Sequence, residues 1–488
     1  MPSPSPIHVP APKREAGSHP SSPPGAKPAF LAGFGVSDIT PRVGVDLAGF
    51  GPYLNRQSTS VLAPLKARAA AFKSGNDRAL ILSLDLCGLT GRLIQQIRKS
   101  IQERTGWPPE SIMVVCTHTH SGPSTVGHIG WGRPDDLYLE TLSMRSAAAA
   151  EQAIASLIEV TVSFAEPACE GIAINRDYDA AYERHLPVDH FLDPGWRPAK
   201  PERTDTTCAV ISFRHKGGLV GFISSFGCHP VVCCERNTQI HGDFVSLGTM
   251  SAESSFPGSV GLFLPGALGD VNPSISHRPA DESLRALQVI SERFADSIRH
   301  GIENGHPIPD TSLATTSRFP RFPRVAWSET DVDDRIRELE NRLHQPGLTD
   351  DPLAGDDVLR RTGMDMVRLA GLRIVRDRMA RGEELNPPSE IQGIRIGPIR
   401  ILGAPFEVFQ ETKNTVLANL GESPTLVLSL VNGAEGYAPD PTVFERQGYS
   451  AEFVPLMKGD LPHRCLHDLL VSELTQLATD LDRSGPTS

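Results

Sequence analysis

The octet Cys116-Thr117-His118-Thr119-His120-Ser121-Gly122-Pro123 places two imidazoles two residues apart, directly after the apolar run 112–115. That run reads as a buried strand, so the histidines stand where a strand ends and a loop opens. Alternation along an extended backbone puts His118 and His120 on one side and Thr119 on the other, which suits one metal ligand beside one proton-transfer group. The same octet also reads as two polar loop histidines, because H-x-H is short and common. Other strand ends must decide between the two.

Several of them carry a polar group among Gly, Pro or small residues. His229 lies in Gly227-Cys228-His229-Pro230, Asp270 in the loop Gly266-Ala267-Leu268-Gly269-Asp270-Val271-Asn272-Pro273, Glu407 after Gly403-Ala404-Pro405-Phe406, and Tyr437 in a Gly-rich loop. Two imidazoles and a carboxylate are a hydrolytic zinc set that leaves a coordination position open. Each residue has an ordinary reading too: a satisfied loop histidine, a favourable charge at a helix N-terminus, a packing tyrosine. A closed zinc site from Cys228, Cys233 and Cys234 lacks a partner C-x-x-C pair, and Cys233 and Cys234 would point apart on a strand. No G-x-S-x-G elbow is present.

The elements that would hold these groups follow from the hydrophobic pattern. An apolar strand at 79–86, a helix capped by Thr90 with Leu93, Ile94, Ile97 and Ile101 on one face, and the strand at 112 form a strand-helix-strand unit. Its strands should be parallel, with Asp85 and His118 at one C-terminal edge, where α/β sheets collect functional groups. Gly33-Phe34-Gly35 lacks the third glycine of a dinucleotide loop. Further along, helices are expected at 136–157 and 282–302, a strand at 160–164, a hairpin at 208–226, and strands at 260–264, 394–402 and 425–431. The Pro-rich stretch 178–205 reads as a long loop. A helix should start at Glu407, and another at 465–481 closes the chain. The fold class is α/β, with mixed, largely parallel sheets flanked by helices in one large domain over 29–488, and charged segments near 325–392 read as a helical insertion.

With 488 residues the chain can bury a large core. Its 39% hydrophobic content and mean hydropathy of −0.20 are those of a globular protein, with no apolar run of the roughly 20 residues a membrane span needs. A formal net charge of −11 disfavours nucleic acid and anionic lipid surfaces as partners. Eight scattered cysteines fit a reducing compartment. Residues 1–28, rich in Pro and Ser and without a signal-like apolar core, are expected to be disordered, and a cytoplasmic location is expected.

In these motifs the chain resembles the neutral/alkaline non-lysosomal ceramidase family, in its catalytic N-terminal domain. The resemblance runs from Phe30 to the C-terminus. It rests on Gly35-Val36-Ser37-Asp38-Ile39-Thr40-Pro41, Thr117-His118-Thr119-His120-Ser121-Gly122-Pro123, Asn175-Arg176, Cys228-His229-Pro230, Gly242-Asp243-Phe244, the loop ending Asp270-Val271-Asn272-Pro273, Pro405-Phe406-Glu407, and Tyr437 with Tyr449. The resemblance implies a zinc amidase acting on a sphingolipid-like or other N-acyl amide, with Zn2+ held by His118, His229, Glu407 and Tyr437. It implies His120, Arg176 and Tyr449 around the substrate carbonyl, and Asp270 and Asn272 as further catalytic candidates. Three departures are visible. Asn272 stands where the family has serine, and Phe406 replaces a glycine and is expected to reshape the pocket wall. The chain ends soon after Tyr449, with no room for a C-terminal immunoglobulin-like domain. They favour a small-molecule or lipid-like amide other than ceramide; an ester or lactone hydrolase and a catalytically silent metabolite-binding relative are the alternatives.

Overall fold

The strands Asp77–Leu84 and Ile112–Cys116 run parallel, joined by the helix Gly91–Thr105, as the sequence pattern requires. The Thr90 side chain accepts the Leu93 backbone N–H at the helix start, and Leu93, Ile94, Ile97 and Ile101 are buried on one face. The structure, a computed structural model, describes residues 28–179, 186–344 and 356–484. Except for Pro28, the Pro- and Ser-rich N-terminal stretch lies outside the described residues.

Three sheets carry the fold. Ile112–Cys116, Asp77–Leu84, Lys66–Ser74, Phe30–Asp38 and Ile158–Glu159 form one five-stranded sheet, and Val260–Pro265, Gly218–Phe226, Ala209–His215, Thr161–Ala165 and His306–Ile308 a second. Leu313–Arg318, Ile391–Ile396, Ile399–Gly403 and Thr425–Leu428 form a four-stranded third. Phe72, Ile81, Phe213, Ile223, Leu262, Ile394 and Ile401 bring all three sheets into one shared core. Helices cover the outer faces: Gly91–Thr105 and Asp136–Ala155 on the first sheet, Asp243–Ser255 and Ala280–Asn304 on the second, Gln410–Leu420 and His467–Arg483 on the third. Strands packed on both faces are largely apolar, which is why 79–82 and 112–116 run without alternation.

The sheets are mixed and flanked by helices, but less parallel than the sequence pattern suggested. Among the described residues five pairings are parallel and nine antiparallel. Short turns make the difference. The stretch 394–402, expected as one strand, is a hairpin folded at Gly397, whose φ of +56° is a left-handed value that glycine adopts without strain. The long loop at 178–205 includes the short helix Val188–Leu192, and residues 180–185 lie outside the described set. In the charged stretch read as an insertion, the helices Glu329–Leu343 and Asp356–Ala380 form a pair. Gly371 lets the second approach Leu456 so closely that a Cβ would sit 2.0 Å from the Leu456 carbonyl oxygen.

Gly33 and Gly35, the pair without a dinucleotide role, seat the Ala-rich helix Asp136–Ala155 directly on the strand Phe30–Asp38. A Cβ on Gly35 would lie 2.2 Å from the Ala149 carbonyl oxygen. Gly35→Ala should therefore push the helix off its strand and destabilise the fold by about 1–3 kcal/mol. Denaturant unfolding at equilibrium checks this; an unchanged midpoint would contradict it.

Candidate metal centre

Four chain segments bring their side chains to one point. His118 follows the strand Ile112–Cys116 but does not extend it: its φ is +72°, a left-handed value that costs a non-glycine residue on the order of 1–3 kcal/mol. This turn, not strand alternation, directs both imidazoles inward, and the Nε2 atoms of His118 and His120 lie 3.3 Å apart. His229 follows Gly218–Phe226. Glu407 does not begin a helix: Glu407–Val408 is a short strand, and the helix starts at Gln410. That strand pairs in parallel with Tyr437–Ala438, with Glu407 opposite Tyr437, so their side chains project to the same side. Gly269 lets the Asp270 loop lie against this strand, for a Cβ there would be 2.5 Å from the Glu407 carbonyl oxygen.

The hydrogen bonds behind His118 and His229 fix their tautomers. His118 Nδ1 donates to the Cys87 carbonyl at 2.6 Å and His229 Nδ1 to the Val271 carbonyl at 3.1 Å. Each ring therefore turns its Nε2 on the same oxygen, Glu407 Oε2, at 3.3 Å and 3.0 Å. The three groups converge inside a buried site, where burial opposes a charge on His118 but Cys87 and Glu407 beside it raise its pKa well above the usual imidazole range. A shared proton or a cation satisfies such a cluster, and backbone-tethered imidazoles with a carboxylate are a donor set that fits zinc. Burial opposes the charge of Glu407, yet the facing imidazoles hold its carboxyl well below the usual range, while burial pushes His229 down to about 4.

His120 is held differently. Its Nδ1 accepts the Phe50 backbone N–H at 3.2 Å, which puts the ring proton on Nε2, and burial keeps it neutral by pushing its pKa well below the usual value. Gly49, at φ +90°, permits this approach, since a Cβ there would lie 2.3 Å from the His120 ring. Arg176 donates from Nη2 to the Gly269 carbonyl at 2.6 Å, reaches Asn272 Oδ1 at 3.5 Å, and lies 5.4 Å above the Tyr437 ring. Tyr449 opens a π-helical turn, Tyr449–Phe453, stacks on Phe453 at 5.4 Å and lies 6.1 Å from the Tyr437 ring. A cavity of about 320 Å³ is lined by His118, His120, Arg176, His229, Asn272, Glu407, Tyr437 and Tyr449.

Two expectations change. Asp270 does not line the cavity; its carboxylate accepts the Gln410 backbone N–H at 2.9 Å and the Asn175 side-chain amide at 2.6 Å. It is a positioning residue that ties the segments bearing Arg176 and Glu407 together. Phe406 does not shape the cavity wall either, because its ring is buried between Phe322 and His463. Conversely, Phe50, Cys87, His128 and Trp131 line the cavity and carry no motif. Gly130-Trp131-Gly132 and the polar strand end at Asp85 were the available signals. Asp85 itself faces away and accepts from the Lys66 backbone and the Ser246 hydroxyl.

Burial raises Asp270 to about 7, partly offset by those hydrogen bonds. The unfolded carboxyl titrates near 4, so the folded chain retains a proton that the unfolded chain releases between about pH 4 and 7. The resulting stabilisation is complete at low pH and is lost as pH rises through about 7. The stability gap between wild type and Asp270→Asn should accordingly shrink from pH 5 to pH 8, at a slope of at most about 1.4 kcal/mol per pH step of one. Thermal melts of both proteins at the two pH values test it, and a gap that widens contradicts it.

Two other donor groups occur among the described residues. Cys87, His118 and His120 share His118, whose Nδ1 is engaged by the Cys87 carbonyl. In the group Cys233, His241 and Asp243, the Asp243 carboxylate accepts three backbone N–H groups and its own N–H donates to His241 Nδ1 at 3.0 Å. That cluster braces the histidine loop, because the Thr119 hydroxyl donates to the His241 carbonyl and the His241 N–H to the Ser121 carbonyl.

Comparison with known proteins agrees with this architecture. Residues 30–284 match the family model described as neutral/alkaline non-lysosomal ceramidase, N-terminal. The fold is similar to the crystal structure of neutral ceramidase from Pseudomonas aeruginosa, with a TM-score of 0.67 and 17% identity over 93% of this chain and 75% of that one. It is also similar to a ceramidase complexed with C2, with a TM-score of 0.69 and 16% identity over 94% of this chain and 76% of that one.

Proposed function

We propose, since this chain belongs to the neutral/alkaline non-lysosomal ceramidase family, that it is a zinc-dependent hydrolase of an N-acyl amide. The observation that carries this reading is the meeting of the His118, His229 and Glu407 acceptors around one point, with Tyr437 beside Glu407. These four residues would hold the ion. When bound, zinc supplies the Lewis acidity that lets a water act as nucleophile near neutral pH.

The chain's own residues do the rest. Cys87 and Val271 carbonyls hold the His118 and His229 rings in the tautomer that offers Nε2. His120, neutral and protonated on Nε2, presents an N–H to the substrate carbonyl; with Nδ1 already engaged by Phe50, it stabilises the developing oxyanion and does not shuttle a proton. Arg176 and the Tyr449 phenol add positive charge and a further donor on the same cavity. Asn272 lies beside the Arg176 guanidinium and steers it. The fold's likeness to ceramidases supports an amide as the bond cleaved. Among the described residues no helix is long and apolar enough to cross a membrane.

The test is metal analysis of the purified protein together with a panel of N-acyl amides, esters and lactones. Stoichiometric zinc and amide turnover that a chelator abolishes are expected. Bound zinc with turnover of esters or lactones only, or of nothing, would replace the amidase reading.

A further inference from the structure

Asn272 stands where the family carries serine, and one of its atoms has no part in the reaction proposed above. The backbone that carries it is pinned on both sides. In the strand Val271–Pro273 it lies opposite Ile174, and the ladder continues past Ala173–Asn175, where the Arg176 N–H donates to the Asp270 carbonyl at 2.9 Å. On the other side the Val271 carbonyl accepts the His229 N–H at 2.9 Å. Residues two apart on a strand share a face, so Asn272, opposite Ile174, comes beside the Arg176 side chain. A guanidinium has donors only, and the amide therefore turns its oxygen to Arg176 Nη1, at 3.5 Å. This fixes the other end as well. Asn272 is only 5% exposed, yet among the described residues nothing accepts from Nδ2, and Nδ2 is not sealed in the interior. The space it opens on is the cavity that Asn272 lines with His118, Glu407 and Arg176.

From this we infer that Asn272 determines specificity: its Nδ2 N–H donates to a second oxygen of the substrate amide, an alkoxy, carbonyl or carboxylate oxygen a few bonds from the scissile carbonyl. The inference rests on the amidase reading above and adds a substrate class to it. Arg176 sets the distance. The proposed chemistry places its guanidinium at the scissile carbonyl, and Asn272 is its immediate neighbour, so the second oxygen must stand close to the bond that is cut. The fixed amide sets the polarity. A serine hydroxyl in this place can turn to donate or to accept, whereas Asn272, with its oxygen held by Arg176, can only donate. An alkyl substituent would strip water from the Nδ2 N–H and return no hydrogen bond, which the site penalises.

The experiment compares kcat/KM within isosteric pairs of amides. On the amine side the pairs are N-acyl 2-methoxyethylamine against N-acyl butylamine, and N-acyl glycine against N-acyl isobutylamine; on the acyl side, a 2-methoxyacyl against a 2-ethylacyl amide. The methoxy and glycine pairs separate a neutral from an anionic oxygen. In the wild type at least one oxygenated member should exceed its alkyl partner by about 10-fold. Asn272→Asp keeps the size and the oxygen facing Arg176 but, as a carboxylate, has no donor, so that preference should vanish or reverse. Asn272→Ala, which removes donor and acceptor alike, should also abolish it, and serves if Asn272→Asp fails to fold or to bind metal. No preference in any wild-type pair overturns the inference. A preference that survives in Asn272→Asp also overturns it, for Asn272 then only steers Arg176. If no amide is cleaved at all, the amidase reading fails, and calorimetric binding of the same pairs to the wild-type and Asn272→Asp holoenzymes still decides whether Nδ2 selects an acceptor.

Discussion

Glu407→Gln is expected to lose the bound ion and to lower turnover by roughly 10³-fold or more, since several kcal/mol of transition-state stabilisation go with the metal. The substitution preserves size, so the strand pairing with Tyr437–Ala438 and the close approach of Gly269 survive. What it removes is the only anionic group among the three clustered ligands. Metal content and steady-state turnover read the effect. A variant that retains one equivalent of zinc and full activity would refute the centre as assigned.

Arg176→Ala is expected to lower kcat by about 10²–10³-fold, or roughly 3–4 kcal/mol, while leaving metal content unchanged. The guanidinium is held by the Gly269 carbonyl, by Asn272 and by stacking over Tyr437, so its position on the cavity is set before substrate arrives. Burial opposes its charge, but the Tyr437 phenol beside it keeps it protonated. Arg176→Lys should recover little, because an ammonium cannot reproduce both the planar stack and the two-sided hydrogen bonding. Steady-state kinetics separate the outcomes. A loss confined to KM would place Arg176 in ground-state binding, and unaltered kcat/KM would remove it from the site.

The strand-helix-strand unit from Asp77 to Cys116 was legible because its information is local: an apolar run, a capping threonine and a helical stripe each span a few residues. The positions of His118, His229, Glu407 and Tyr437 at strand ends were legible for the same reason. Glu407 was read into a helix because a carboxylate before an amphipathic stretch is also a good helix start. The competing partner, Tyr437, is thirty residues away, and a two-residue ladder leaves no trace in hydrophobic period. The Gly397 hairpin has a local signal, Gly397-Pro398 between the alternating runs Ile394-Arg395-Ile396 and Ile399-Arg400-Ile401, which a reading of 394–402 as one strand overlooks. Asp270 and Phe406 lie in the right motifs, but the direction of their side chains is decided by packing against Asn175, Gln410, Phe322 and His463.

Residue types and short-range periodicity thus determined on their own which groups could do chemistry, the helix-flanked mixed sheets, and the absence of any long apolar span. Only the tertiary structure decided that the imidazoles meet Glu407 through a left-handed turn at His118, that Phe50 dictates the His120 tautomer, and that Phe50, Trp131 and Met457 share one cavity with the centre. The division has a physical cause. Local sequence encodes backbone preference and burial, whereas tautomers, facing lone pairs and cavity volume arise from atoms that the chain brings together across hundreds of residues.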